Sequence, residues 1–318
     1  MKIRLAIFTV TIAIGSMGAG YKWKGYIQEN IYLPFMRNIT PAPSKSRYKE
    51  VNCPKEAISI AIFGQSNSGN TVKEKINIEI PSNVFQYDWK TKKCYYYKEP
   101  LLGTMGRWKN IITYTAAKMA MNSNKPIIII PFGVGGSSVL DWAYGDLSHL
   151  HRIVMERIKE SDLSPRIFLW HQGENDSNPL NAGSLEKIID GPYGTDQRTP
   201  GRAYFSKKGL QRVNLGLTQM VYYNALKGVT ESTLQKFPQS SFGIALATRC
   251  GNNPWDPVRN AQMMVARDIP RSFISADSDS ITGPDKRPDD CHFSAKGASE
   301  LGDLYYESIN REIKRNGF

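Results

Sequence analysis

The stretch that decides the fold runs from Ala57 to Asn70 and reads AISIAIFGQSNSGN. Its first half is a continuous apolar run that ends at Gly64, which predicts a strand buried on both faces of a parallel sheet. A serine flanked by two side-chain amides follows at once, in the order Gln65-Ser66-Asn67. Because open α/β folds bind ligands at the carboxyl ends of their strands, Ser66 is a candidate nucleophile.

Further apolar runs follow at the spacing of an α/β fold. Three of them predict strands, at residues 126–132, 166–170 and 242–248. Amphipathic segments between the runs predict helices, the clearest within residues 107–122, 147–160, 203–226 and 294–315. Strands that alternate with helices predict a three-layer α/β/α sandwich around a parallel sheet, with right-handed crossovers.

The amino terminus has the pattern of a targeting segment. Lys2 and Arg4 precede an apolar run from Leu5 to about Gly20. We therefore expect residues 1–24 to be a signal peptide or an N-terminal membrane anchor, residues 25–50 a linker, and residues 51–318 the folded domain. Either form of the segment places the rest of the chain outside the cytoplasm.

The charge of the chain limits its partners. The formal net charge is +12, but lysine and arginine are spread along the sequence without a basic tail or a zinc-finger spacing. This distribution favours anionic partners in general and gives no nucleic-acid signature. Because no Cys-x-x-Cys pair is present, we expect no metal site.

Three of the predicted strands end in loops that suit acyl transfer. These loops read GQSN at residues 64–67, GVGGSSVLDW at residues 133–142 and WHQGENDS at residues 170–177. In a parallel sheet all three lie on one edge, where they bring together a hydroxyl nucleophile, glycine amides and side-chain amides.

A base for Ser66 is found near the last helix, in the segment RPDDCHFSAKG. His292 follows Asp289 by three residues, so that a single turn can direct the carboxylate to Nδ1 and leave Nε2 for the serine. Asp290 is one residue closer and is assigned no catalytic role. The other histidines, His149, His151 and His171, are expected to pack or to lie on the surface.

These four blocks, in this order, resemble the SGNH hydrolases, and among them the sialate O-acetylesterase branch that includes the acetylxylan esterases of carbohydrate esterase family six. The resemblance runs from about Ile58 to the final helix. It implies a flavodoxin-like sheet, Ser66 as nucleophile, His292 as base and Asp289 as its partner. It also implies that acetyl groups are released from carbohydrate hydroxyls without a cofactor.

Carried over block by block, the resemblance implies an oxyanion hole made by the Ser66 amide, an amide of the Gly135-Gly136 pair and a side chain of the third loop. The QGE tripeptide of the branch favours Gln172 as that side chain, whereas the G-x-N-D pattern of the wider superfamily favours Asn175. We expect Gln172. Candidates for lining the substrate site are Gln65, Asn67, Glu174 and Trp142, although Glu174 also suits loop organisation and Trp142 also suits the core.

The four cysteines form an even set, which predicts disulfides in an oxidising compartment. Cys250 follows the last strand recognised above and Cys291 precedes His292, so we expect a bridge between them and a second one between Cys53 and Cys94. Sequence alone leaves all three pairings of four cysteines open.

The function predicted from the sequence is that of an extracytoplasmic serine esterase. It removes O-acetyl groups from a carbohydrate, either a polysaccharide or a sialic-acid-like sugar, with anionic glycans included. Membrane attachment through the N-terminal segment is one option, and no nucleic acid is expected. Two alternatives stay open: an O-acetyltransferase acting on an exported polysaccharide, and an inactive glycan-binding module.

Overall fold

The computed structural model describes residues 47–177, 218–251 and 254–317. These residues form one eight-stranded sheet with helices on both faces, which confirms the predicted three-layer α/β/α architecture. The proposed signal peptide or anchor and residues 25–46 of the proposed linker lie outside the described residues. Within the described ranges, none of the helices has the length and apolarity needed to cross a membrane.

The sheet combines a parallel centre with an antiparallel edge. Its order is β1-β4-β3-β5-β2-β6-β7-β8, and the pairs that include β4 are antiparallel. The strands are β1 (Glu50–Val51), β2 (Ile58–Gly64), β3 (Val84–Asp88), β4 (Lys93–Tyr96), β5 (Ile127–Pro131), β6 (Ile167–His171), β7 (Ser241–Leu246) and β8 (Ser272–Asp277). The strands β5-β2-β6-β7-β8 have the flavodoxin-like order, which places a switch point beside β2.

Helices cover the two faces of the sheet. They are α1 (Ile112–Met121), α2 (Val139–Ala143), α3 (Asp146–Glu160), α4 (Gln219–Lys236), α5 (Asp256–Asp268) and α6 (Ala295–Arg315). The predicted helix over residues 203–226 falls partly outside the described residues, and its described part is the start of α4.

The alternation of side chains along β2 separates the two cores. Ile60 and Ile62 belong to an aliphatic cluster with residues of α1 and α6. Phe63 points to the opposite face, where its ring stacks on Phe132 at 4.6 Å and meets Trp170 edge-on at 5.2 Å. A strand buried on both faces is thus apolar at nearly every position, with Ser59 as the polar exception.

Sequence reasoning missed strands β1, β3, β4 and β8 and helices α2 and α5. The β3 segment VFQYD is buried throughout, although its polar residues conceal it as a strand. Gln86 is tolerated there because its Nε2 donates to the Lys98 carbonyl at 2.9 Å and its Oε1 accepts from the Leu102 amide at 2.9 Å. Those partners come from neighbouring loops, so no local sequence pattern predicts this strand.

Both expected disulfides are present. Cys53 is bonded to Cys94 of β4, and Cys250 is bonded to Cys291. The second bridge joins the loop after β7 to the loop that precedes α6. Tyr48, within the stretch assigned to the linker, is buried and donates to the Pro100 carbonyl at 2.6 Å.

Candidate active site

The nucleophile turn begins where β2 ends. Gly64 has φ of +128°, and a β-carbon there would overlap the backbone carbonyl of His171 on the neighbouring strand. Only glycine fits both the conformation and the close approach. The chain then enters a 3-10 turn, Ser66–Ser68, which leaves Ser66 partly exposed at the carboxyl edge of the sheet.

The structure brings Ser66, His292 and Asp289 together across 226 residues of sequence. His292 Nε2 lies 3.0 Å from Ser66 Oγ. On the other side of the ring, Nδ1 lies 2.8 Å from Asp289 Oδ2. This is the order of contacts by which a carboxylate orients an imidazole and the imidazole accepts a serine proton.

Asp289 rather than Asp290 has the geometry to orient the base. Asp289 Oδ1 accepts the backbone amides of Cys291 at 3.1 Å and His292 at 2.6 Å, so the carboxylate folds back onto its own turn. Asp290 adopts φ of +57°, and its carbonyl accepts the Gly251 amide at 3.1 Å. It therefore shapes the turn.

The site is open and favours a charged Asp289. Burial opposes ionisation of this carboxyl, but the hydrogen bonds from the His292 ring and backbone hold its pKa below the usual range. The side chain of His292 is 32% exposed and that of Asp289 is 45% exposed. Water and a bulky substrate therefore both have access to the catalytic groups.

A buried arginine, which the sequence reasoning missed, holds the His292 loop. The Arg287 guanidinium donates to the carbonyls of Ser278 at 2.7 Å and Ile281 at 2.9 Å, and also to that of Cys291. Its charge lies 3.9 Å from the ring centroid of Phe293. Burial lowers the pKa of Arg287. No motif marks it, because its partners are backbone carbonyls of separate turns.

The predicted oxyanion hole includes two backbone amides, those of Ser66 and Gly135. Within the described part of the chain, the Ser66 amide has no hydrogen-bond acceptor. A β-carbon on Gly135 would lie 3.5 Å from Ser66 Cβ, and the Gly135 amide donates to the sulfur of Met105. Met105, which sequence reasoning also missed, thus occupies the acceptor position of this amide. Gly136 follows in a left-handed conformation, with φ of +65°.

The expectation that Gln172 completes the oxyanion hole needs correction. Gln172 is fully buried, and its Nε2 donates to Asp176 Oδ2 at 2.7 Å and to the Ser137 carbonyl at 3.0 Å. Its Oε1 accepts the Tyr222 hydroxyl at 2.9 Å. With its donors committed to these partners, Gln172 supports the loop, and the partly exposed Asn175 is the better candidate donor.

The expectation that Gln65 and Asn67 line the substrate site is also wrong, because both are buried. Gln65 Oε1 accepts the Asn175 amide at 3.0 Å. Asn67 Nδ2 donates to Glu174 Oε1 at 2.9 Å and to the Cys291 carbonyl at 3.2 Å. The two amides beside Ser66 therefore tie its turn to the third loop and to the His292 loop.

Glu174 and Trp142 are buried as well, so neither contacts substrate. Burial opposes the charge of Glu174, but His171, whose Nε2 lies 3.3 Å from Oε1, and Asn67 hold the pKa of Glu174 below its usual range. His171 Nδ1 lies 2.7 Å from the Tyr305 hydroxyl. Trp142 packs among core aromatic rings, which was its alternative role.

Neither of the two remaining histidines takes part in these contacts. His149 is exposed on α3. His151 is buried beside the Thr233 hydroxyl, at 2.9 Å from Nε2, and burial lowers its pKa to about 4. Both therefore match the structural roles expected of them.

The family comparison agrees with this geometry. The model of a carbohydrate esterase family, the sialic acid-specific acetylesterases, matches residues 60–189. This match covers less than half of the chain and supports an esterase. The matched range contains the three loops that follow β2, β5 and β6, but it ends before the loop of Asp289 and His292. The match confirms the resemblance seen in the sequence. A search of curated protein sequences gives no significant match.

Solved structures show that the fold is shared. A protein from Arabidopsis thaliana is 17% identical to this esterase, with 80% of this chain and 98% of that chain covered and a TM-score of 0.54. A carbohydrate acetylesterase from Xanthomonas citri is 12% identical, with 80% of this chain and 55% of that chain covered and a TM-score of 0.50. At these identities the likeness concerns the fold alone.

We predict that Asp289→Asn lowers kcat of the esterase for a small acetyl ester by roughly 10⁴-fold. The amide nitrogen of the asparagine would face a donor at His292 Nδ1 or at the two backbone amides, so the ring loses its orientation. Asp290→Asn is the matched control, because asparagine tolerates the left-handed conformation. A crippled Asp290→Asn variant beside a normal Asp289→Asn variant would contradict the assignment.

Asn175→Ala and Gln172→Ala should separate catalysis from stability. Loss of an oxyanion donor in Asn175→Ala is expected to lower kcat by about 10²- to 10³-fold with little change in urea unfolding. Gln172→Ala leaves several buried groups unpaired and should lower the free energy of unfolding by at least ~2 kcal/mol. If Asn175→Ala keeps full kcat, the hole does not include this side chain.

The two disulfides should stabilise the esterase equally but differ in their effect on activity. Each bridge spans 41 residues, so replacing either pair by serine should lower the free energy of unfolding by about 4 kcal/mol. Only the Cys250–Cys291 bridge adjoins His292, so only its loss should lower kcat at a temperature where both variants remain folded. Equal kcat values in both double variants would contradict this role.

Proposed function

We propose that the esterase is an extracytoplasmic serine enzyme that removes O-acetyl groups from carbohydrates through an acyl-enzyme. The observation that carries this proposal is the pair of hydrogen bonds linking Asp289, His292 and Ser66. A matched nucleophile and base of this kind serve acyl transfer and have no use in a binding module. The matched family consists of sialic acid-specific acetylesterases, which is consistent with an acetylated carbohydrate substrate.

In this mechanism Ser66 Oγ attacks the acetyl carbonyl carbon while His292 Nε2 takes the hydroxyl proton. The amides of Ser66 and Gly135, together with the Asn175 side chain, stabilise the resulting oxyanion. The sulfur of Met105 must leave the Gly135 amide first, and an unbranched thioether side chain moves easily.

Collapse of the tetrahedral intermediate breaks the bond to the sugar oxygen, which takes the proton from His292. Water then attacks the acetyl-Ser66 ester, with His292 again as the base, and acetate leaves. Asp289 holds the imidazole in position and stabilises its charged form through both steps. No redox partner or metal is required for this sequence of bonds.

Hydrolysis is favoured over acetyl transfer by the openness of the site. Nearly a third of the His292 side chain is exposed, so water reaches the acyl-enzyme from the same side as the leaving sugar. A transferase has to exclude water from this intermediate. The two disulfides support an oxidising, extracytoplasmic compartment.

Ser66→Ala should abolish acetate release from acetylated glycans and from a small acetyl ester, with kcat lowered by roughly 10⁶-fold and the thermal midpoint nearly unchanged. The exposed Ser280 provides the control, because Ser280→Ala should retain parental activity. In parallel, a phosphonate inhibitor should label Ser66 in the parent. Acetate release by Ser66→Ala would end the esterase proposal, and preferential transfer of acetyl to an added sugar over water would favour the transferase.

A further inference from the structure

The segment Met105 to Lys109 lies beside the nucleophile turn and is fixed to it by backbone hydrogen bonds. The Asn70 amide donates to the Met105 carbonyl at 2.8 Å, and the Trp108 amide donates to the Asn70 carbonyl at 3.1 Å. A β-carbon on Gly69 would lie 3.1 Å from Met105 Cγ, which shows how closely the two segments approach. Any group carried by this segment is therefore held at a set position relative to Ser66.

Trp108 is an exposed indole on this rigid segment. It is 41% exposed, whereas Trp89, Trp142 and Trp170 are at most 1% exposed. The Arg107 guanidinium lies 5.2 Å from the centre of the Trp108 ring and covers one of its faces. An exposed aromatic surface on a segment whose backbone pairs with the residues just after the nucleophile turn suits the apolar C–H face of a pyranose ring.

Positive residues flank this indole in the sequence, and of these Lys109 is paired with Glu99 at 3.5 Å. Within the described residues, neither Arg107 nor Lys73 has an ion-pair partner, and Lys73 directly follows Val72, whose backbone pairs with that of Lys109. Glu74, which follows Lys73 in the sequence, accepts the Ala295 amide at 2.8 Å. A planar guanidinium on a fixed segment matches the geometry of a carboxylate.

We propose that Arg107, Trp108 and Lys73 form a subsite for a carboxylate-bearing sugar residue of the acetylated glycan. The pyranose ring stacks on Trp108, and its carboxylate binds Arg107 with support from Lys73. This proposal assigns a substrate class to the proposed esterase, so it rests on that function. Contacts remote from the reacting ester supply binding energy that positions the acetyl group at Ser66.

The first test measures binding without turnover, using the Ser66→Ala protein and three probes: polygalacturonate, polysialic acid, and polygalacturonate whose carboxylates are methyl-esterified. We expect at least one acidic probe to bind, with its Kd raised about tenfold by Trp108→Ala and near the parental value in Trp108→Phe. Arg107→Gln should weaken binding of the acidic probe but leave the esterified one, if it binds, within about twofold. A higher salt concentration should also weaken binding of the acidic probe.

Two control variants lie elsewhere on the surface. Tyr144→Ala removes another exposed aromatic side chain, and Arg152→Gln removes another exposed arginine. Neither should change the Kd of any probe. Equal effects of Arg107→Gln and Arg152→Gln would show a general charge effect and overturn the subsite.

Kinetics then separate this inference from the proposed function. With an acetylated acidic glycan, Trp108→Ala should raise KM about tenfold more than it does with a small acetyl ester, while kcat stays comparable. Active enzyme whose glycan binding ignores Trp108 and Arg107 would refute the subsite alone. Glycan binding that depends on both residues, in a protein that releases no acetate, would refute the esterase proposal and leave the subsite standing. Absence of binding to both acidic probes would overturn the subsite.

Discussion

Two buried side-chain amides, one on each side of the nucleophile, hold the active site together. Gln65 accepts backbone amides of the loop after β6, and Asn67 donates both to Glu174 of that loop and to the carbonyl of Cys291 beside the catalytic histidine. The same tripeptide that presents Ser66 therefore sets the positions of its oxyanion donors and of its base. Buried polar groups are costly when unpaired, so these loops keep one arrangement.

The parallel sheet makes this arrangement possible. β2 pairs with β5 on one side and β6 on the other, and Gly64 is level with His171, so the neighbouring loops leave the sheet at one edge. In the resulting site the side chain of the base is 32% exposed, and the neighbouring Met105–Lys109 segment carries an exposed indole. Such a site suits acetyl groups on an extended glycan better than a small ligand enclosed in a pocket.

Much of the fold could be predicted because its signals are local. The apolar runs of the central strands, the amphipathic helices and the Asp-x-x-His spacing each lie within one short segment. Strand β3, which lies between β4 and β5, was missed because its buried Gln86 is paired with loops elsewhere in the chain. Sequence reasoning did not identify Arg287 and Met105 for the same reason, since their contacts join turns that only the folded chain brings together.

The sequence by itself determined the fold class and singled out Ser66, His292 and Asp289 as the candidate nucleophile, base and partner of the base. The structure then showed which of the three possible disulfide pairings is formed. Only the tertiary structure decided what the polar residues around Ser66 do. The sequence favours Gln172 over Asn175 as the donor, but in the structure Gln172 is hydrogen-bonded to Asp176, Ser137 and Tyr222. A side-chain amide has few donors, and whether they remain available depends on partners that come from distant parts of the sequence.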